Sequence, residues 1–171
     1  MPHSKILKAI RTYAHAYAEL QHLQDTHPSI PGGDQKTGCI GEYYAYLYLA
    51  KIHGVDKLRY GSHSEKGWDI EIAVDPPVRI QVKTVSGFSK TRTISPIHRG
   101  WDQLFIVYLS RELNPEGFWI IENANIFGKS DQLTGLKCCH PSKPSTGSAS
   151  LPFGENRVNK LQEAIEHALG A

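Results

Sequence analysis

Four polar side chains of this sequence are spaced so that they could do chemistry together. Asp69 lies in the run Trp68-Asp-Ile-Glu-Ile-Ala-Val74, Gln81 and Lys83 flank Val82 in Val78-Arg-Ile-Gln-Val-Lys-Thr-Val85, and Glu42 ends the run Gly38-Cys-Ile-Gly-Glu42. A carboxylate, an amide oxygen and a second carboxylate are oxygen donors suited to a hard divalent cation. An ammonium beside them can stabilise negative charge as it develops on an anion such as a phosphate.

Position along the chain supports this grouping. Residues 68–74 and 78–85 both alternate apolar and polar and are separated by Asp75-Pro-Pro77, a turn signal, which predicts an antiparallel hairpin. Side chains two apart on a strand share a face. Asp69 and Glu71 then lie together, opposite Ile70 and Ile72, and Arg79, Gln81, Lys83 and Val85 lie opposite Val78, Ile80, Val82 and Thr84. A hairpin register can bring Asp69 beside Gln81 and Lys83. Glu71 shares the face of Asp69 and is either a replacement ligand for Gln81 or a solvated strand residue. Glu42 comes from a helix predicted over residues 35–53, capped by Asp34 and ended by Gly54. Gly38, Gly41, Glu42, Ala45 and Leu49 fall on one face of that helix, Tyr44 and Tyr48 on another. Two glycines inside a helix cost about 1 kcal/mol each against alanine. The expected offset is close packing, which leaves Glu42 as a carboxylate in need of a partner. If Tyr44 and Tyr48 prove exposed, they offer a homodimer surface.

The other elements frame these. A helix over residues 4–26, with Ser4 as N-cap, has Ile6, Ile10, Tyr13, Ala14, Tyr17 and Leu20 at helical spacing. His15 and His22 on it are seven apart, a spacing that favours surface histidines over a metal pair. Pro28–Gly33 is a break. Leu58–Gly61 reads as a short strand, and Leu104–Leu109 as an apolar strand buried on both faces. Residues 86–101 read as a polar loop, Asn114–Gly117 as a turn, Phe118–Glu122 as a strand, 129–150 as a loop, and 155–169 as a closing helix with Val158, Leu161, Ile165 and Ala168 inward. One domain over 1–171 is expected, an α/β fold with a mixed sheet of about five strands packed by helices on its faces.

Bulk properties are ordinary for a soluble globular chain: 40% hydrophobic, 21% charged, net charge +2. So mild a basic excess leaves nucleic-acid binding to a local patch. No apolar run reaches the roughly 18 residues of a membrane span, and no signal peptide is read at the start, so no membrane partner and a cytoplasmic location are expected. Cys39 with the vicinal pair Cys138-Cys139 is not a disulfide framework, and Cys138-Cys139-His140 has no second ligand pair at zinc-site spacing.

The order helix glutamate, strand aspartate, then Gln81-Val82-Lys83 on the next strand resembles the PD-(D/E)XK nuclease superfamily, the restriction-endonuclease-like fold, in its glutamine variant. The resemblance covers residues 38–122. Trp68 stands where the name-giving proline would be, and Gln81 replaces an anionic ligand. What the resemblance implies is a metal-dependent DNA endonuclease using Mg²⁺ or Mn²⁺. Asp69 would bind the ion directly, Gln81 and the Val82 carbonyl would complete the protein ligands, and Glu42 would hold a metal-bound water or assist a second ion. Lys83 would orient the attacking water and stabilise the transition state. Lys90, Arg92, His98 and Arg99 would contact DNA phosphates. The competing expectation is a catalytically inactive module of the same fold that binds nucleic acid or protein, and RNA is a second possible substrate.

Overall fold

The computed structural model describes residues 2–26, 37–61, 67–122, 132–138, 140–141 and 153–170. The predicted break at Pro28–Gly33, the Asp34 cap and Cys139 lie outside them. The elements are α1 (Pro2–Thr26), α2 (Thr37–His53), β1 (Leu58–Tyr60), β2 (Ile70–Ile72), β3 (Val78–Ser86), β4 (Ile97–His98), β5 (Gln103–Leu109), β6 (Pro115–Ile121), β7 (Gln132–Leu133) and α3 (Val158–Gly170).

Five strands form a mixed sheet in the order β1-β2-β3-β5-β6. The predicted hairpin is present: β2 runs antiparallel to β3 with Ile70 opposite Ile80. β5 then lies parallel to β3 and antiparallel to β6. Leu104–Leu109 are all buried, as a central strand requires. Alternation along β5 divides the interior. Phe105, Val107 and Leu109 meet the helices, with Ile80, Val82, Leu49 and Leu161, whereas Leu104, Ile106 and Tyr108 meet Ile94, Ile97, Trp101, Trp119 and Phe153.

All three helices pack against the first of these cores. The second is covered by the segment after β3. Residues 86–101, read from sequence as a polar loop, therefore insert Ile94, Ile97 and Trp101 as core residues and contribute β4, which pairs with β7. Charged residues between the apolar ones hide a periodicity too short to detect. Within 129–150 the same pairing places a strand, and Cys138, whose N–H donates to the Arg92 carbonyl, is buried where only a loop was expected.

Other boundaries shift for local reasons. α1 begins at Pro2, so Ser4 is inside the helix; proline suits the first turn because its missing N–H has no partner there. β6 starts at Pro115 and absorbs the predicted turn. That turn sits earlier, at Ser110, whose Oγ accepts from the N–H groups of Glu112 and Asn114. α3 starts at Val158, where Asn156 Oδ1 accepts from Val158 N and from Phe118 N, fastening the helix to β6.

Tyr44 and Tyr48 form no dimer surface. Tyr44 is buried and its hydroxyl donates to the Leu113 carbonyl. Tyr48 packs edge-on against Phe105 and Phe118. Both rings reach the sheet core because α2 is buried on several sides at once.

The close approach of α2 depends on Gly41. A Cβ built there would overlap Thr84 Oγ1 and lie 2.9 Å from Thr84 Cβ. Threonine is branched and stiff, so it cannot turn away. Gly38 is different: its nearest obstacle is Glu42 Oε1 at 4.0 Å. Alanine should thus act oppositely at the two glycines. Gly38→Ala is expected to gain up to about 1 kcal/mol from helix propensity, and Gly41→Ala to lose about 1–3 kcal/mol to overpacking, both measured by urea denaturation. Equal effects would refute the packing role of Gly41.

Candidate active site

β2 pairs only with Val78–Ile80, whereas β3 continues to Ser86. Past Ile80 the two chains part and the edge of β3 is left open on that side. Asp69, just before β2, occupies this fork. Its N–H donates to the Ile80 carbonyl at 2.8 Å, and its Oδ2 accepts from Val82 N at 2.7 Å. The carboxylate thus takes the place of the next strand partner. A charged acceptor makes such a bond worth about 1.5–3 kcal/mol.

Beyond the fork lies a cavity of about 380 Å³ whose walls include Glu42, Asp69, Val82 and Lys83. Glu42 enters from α2, which Gly41 allows to sit against β3. Thr84, Ser86, Ser89, Thr93 and Ser95 add a hydroxyl-bearing wall. The sequence carried no distinct signal for this wall, because its members come from a strand end and a loop that meet only in space. Hydroxyls of this kind can hydrogen-bond phosphate oxygens.

Burial dominates the titration of the two central charges. It pushes the Asp69 carboxyl above its ordinary value, against the opposing pull of the Val82 N–H and the Lys83 ammonium. It pushes the Lys83 ammonium below its ordinary value, against the attraction of Asp69 and Glu42. Both charges are therefore held in surroundings less favourable than water, as is common where a charge is kept for chemistry.

Gln81 is placed differently from the other three. It is buried and does not line the cavity, and its Oε1 has no hydrogen-bond partner. A buried, unpartnered amide oxygen one residue from the cavity wall is a donor for a cation or a water. The oxygen donors fit a hard cation in kind, although no cluster of three or more His, Cys, Asp or Glu residues suited to a metal occurs among the described residues. With glutamine at 81, the anionic donors are two, Asp69 and Glu42.

Glu71 is neither a ligand nor solvated. It is buried, bound at 2.7 Å by Arg59 and at 3.4 Å by Arg79 from the flanking strands. Both guanidinium groups lie over the Trp68 ring. Burial raises the Glu71 carboxyl, but the two arginines outweigh it and hold it below the usual carboxylate range.

The predicted phosphate contacts divide. Lys90 and Arg92 line a neighbouring cavity of about 440 Å³ that shares Ser89 with the first and adds Arg111 and His140. Lys90 also lies 4.0 Å from Asp25. His98 sits on β4, and neither it nor Arg99 lines these two cavities.

No family model and no curated protein matches the chain. Among solved structures, the chain aligns with that of a bacterial homing endonuclease at a TM-score of 0.43 and 15% identity, over 82% of this chain and 100% of that one.

The direction of the Asp69 shift fixes a dependence on pH. A raised folded value means that the folded state holds the proton more firmly than the unfolded chain does. The resulting stability is fully present below the unfolded value of 3.8 and is lost as pH rises through the folded value. Asp69→Asn keeps an oxygen for Val82 N–H and removes the charge. It should unfold at higher urea than the wild type at neutral pH, with the difference closing as pH falls below about 4. A variant less stable than wild type at neutral pH would mean that attraction to Lys83 outweighs burial.

Proposed function

We propose that the protein is a metal-dependent phosphodiesterase that cuts DNA internally. The observation that carries this reading is the cavity lined together by Glu42 of α2, Asp69 just before β2 and Lys83 of β3. The chemical logic is that of a phosphodiester substrate. Asp69 and Glu42, with the Gln81 amide oxygen nearby, would hold Mg²⁺ or Mn²⁺. Such an ion supplies positive charge to the phosphate and makes a water more acidic.

The protein's own groups do the rest. Lys83 places an ammonium where negative charge grows on the phosphate oxygens and orients the attacking water. Its depressed pKa reflects a partly desolvated ammonium, whose charge acts more strongly than it would in bulk water. Asp69 is held in place by Val82 N–H, so its free lone pairs keep a fixed direction. The serines and threonines of the cavity wall supply neutral donors to the flanking phosphate. Lys90, Arg92 and Arg111 in the adjoining cavity, which Glu112 and Glu116 also line, would supply cations to the phosphates beyond the site.

One observation favours a second reading, an inactive binding module of the same fold: Gln81 leaves only two anionic donors at the site. Titration with Mg²⁺ or Mn²⁺ by calorimetry separates the two, since a pure binding module has no use for a metal at Asp69. We expect metal binding that Asp69→Ala abolishes, and metal-dependent cleavage of DNA that Lys83→Ala lowers by about 10²–10³-fold. Metal binding should survive in Lys83→Ala. Absence of both metal binding and cleavage, tested over linear, supercoiled and single-stranded DNA, would overturn the enzyme.

A further inference from the structure

α1 carries more apolar surface than the other described elements cover. Leu7, Ala14 and Tyr17 are buried on its inner side, and Tyr17 stacks on Phe88. A second stripe runs beside this one. Ile6 is 39% exposed and Leu20 49% exposed, with Ala9 and Ala16 exposed and Tyr13 half-buried between them. Ile6, Tyr13 and Leu20 recur every seven residues, and Ala9 and Ala16 fall three residues after Ile6 and Tyr13. That is the a/d seam of a coiled coil, with large residues at a and alanine at d. Ile6, Ala9, Ile10 and Tyr13 also form one side of an apolar groove completed by Cys39 and Ile40 of α2.

The charges of α1 name the occupant. Its basic residues, Lys5, Lys8 and Arg11, all lie in the first half, and its acidic residues, Glu19 and Asp25, in the second. This opposes the helix dipole, which favours acids at the N-terminus and bases at the C-terminus. A second copy of α1 running antiparallel reverses the disadvantage, because each basic half meets an acidic half. Asp25 is already engaged by Gln21 and Lys90, which leaves Glu19 as the acid for the seam. Lys5, Thr12 and Glu19 all occupy the position just before a, on the outer flank. A twofold register centred on Arg11 brings Lys5 within two residues, about 3 Å of helix rise, of the level of Glu19 of the partner subunit at both ends. The same register sets Ile6 opposite the partner's Ala16 and Tyr13 opposite the partner's Ala9. Large residues then face small ones through the seam, as close helix packing requires.

We infer that the protein forms a twofold dimer through antiparallel α1 helices, with Lys5 and Glu19 paired across the axis. The interface is isologous, so one pairing occurs twice and closes the assembly at two copies. The inference does not depend on the proposed activity, since none of these residues lines the cavity at Asp69.

Sedimentation equilibrium on the full chain tests it. The wild type is expected to show twice the chain mass at high micromolar concentration. Ala16→Arg should be monomeric with an unchanged far-ultraviolet circular dichroism spectrum, because Ala16 is exposed within one chain. Lys5→Glu and Glu19→Lys should each weaken association by roughly 2- to 30-fold, since each removes two symmetry-related ion pairs. An equimolar mixture of these two variants should recover the lost affinity, because their heterodimer restores both pairs. A monomeric wild type overturns the dimer. A wild-type dimer that persists in Ala16→Arg, or a mixture that associates no better than its components, overturns the antiparallel α1 interface.

Discussion

The 2.7 Å hydrogen bond from Val82 N–H to the Asp69 carboxylate is the constraint around which this molecule is arranged. A strand edge left open beside a polar cavity presents unpaired N–H and C=O groups, which proteins must cover or pair. Here β3 runs six residues past its pairing with β2. The carboxylate satisfies the first open N–H, and the fork so created is where the cavity forms. One side chain thereby terminates a strand pairing and supplies an anionic group to the cavity. Lys83, one residue beyond the capped position, gains its carboxylate neighbour through the same contact.

Two carboxylates two residues apart show how much surroundings decide. Asp69 and Glu71 share a local sequence and both lose water on folding. Glu71 is clamped by two arginines stacked on Trp68, and its ionised form is favoured. Asp69 faces a single ammonium that is itself desolvated, and its ionised form is disfavoured. The first arrangement ties β1, β2 and β3 together. The second holds charge at a cost in stability, the usual relation between a prepared site and its scaffold. Gly41 belongs to the same trade. It forfeits helix propensity so that α2 can lie against Thr84 and bring Glu42 to the cavity.

The sequence by itself determined the elements that have strong periodicity. The β2–β3 hairpin, the buried strand β5 and the three main helices were legible because alternation and helical spacing extend over many residues. The order of Glu42, Asp69 and Lys83 was legible too, because each sits on an element of predictable type. Hairpin alternation placed Gln81 on the face of Lys83, but the structure buries it beside the cavity instead of in its wall, since one residue of strand separates lining a fork from lying behind it.

Only the tertiary structure decided what short or non-local contacts control. The segment 86–101 became core because Ile94, Ile97 and Trp101 cover the sheet face that α1, α2 and α3 leave open. Glu71 became structural because Arg59 and Arg79 arrive from strands on either side. Tyr44 and Tyr48 turned inward because α2 is enclosed by the sheet and its neighbouring helices. On α1 the helical spacing marked Ile6, Tyr13 and Leu20 as apolar but could not divide them from Leu7, Ala14 and Tyr17. Spacing tells which residues share a face, and only packing tells which face the rest of the chain has room to bury.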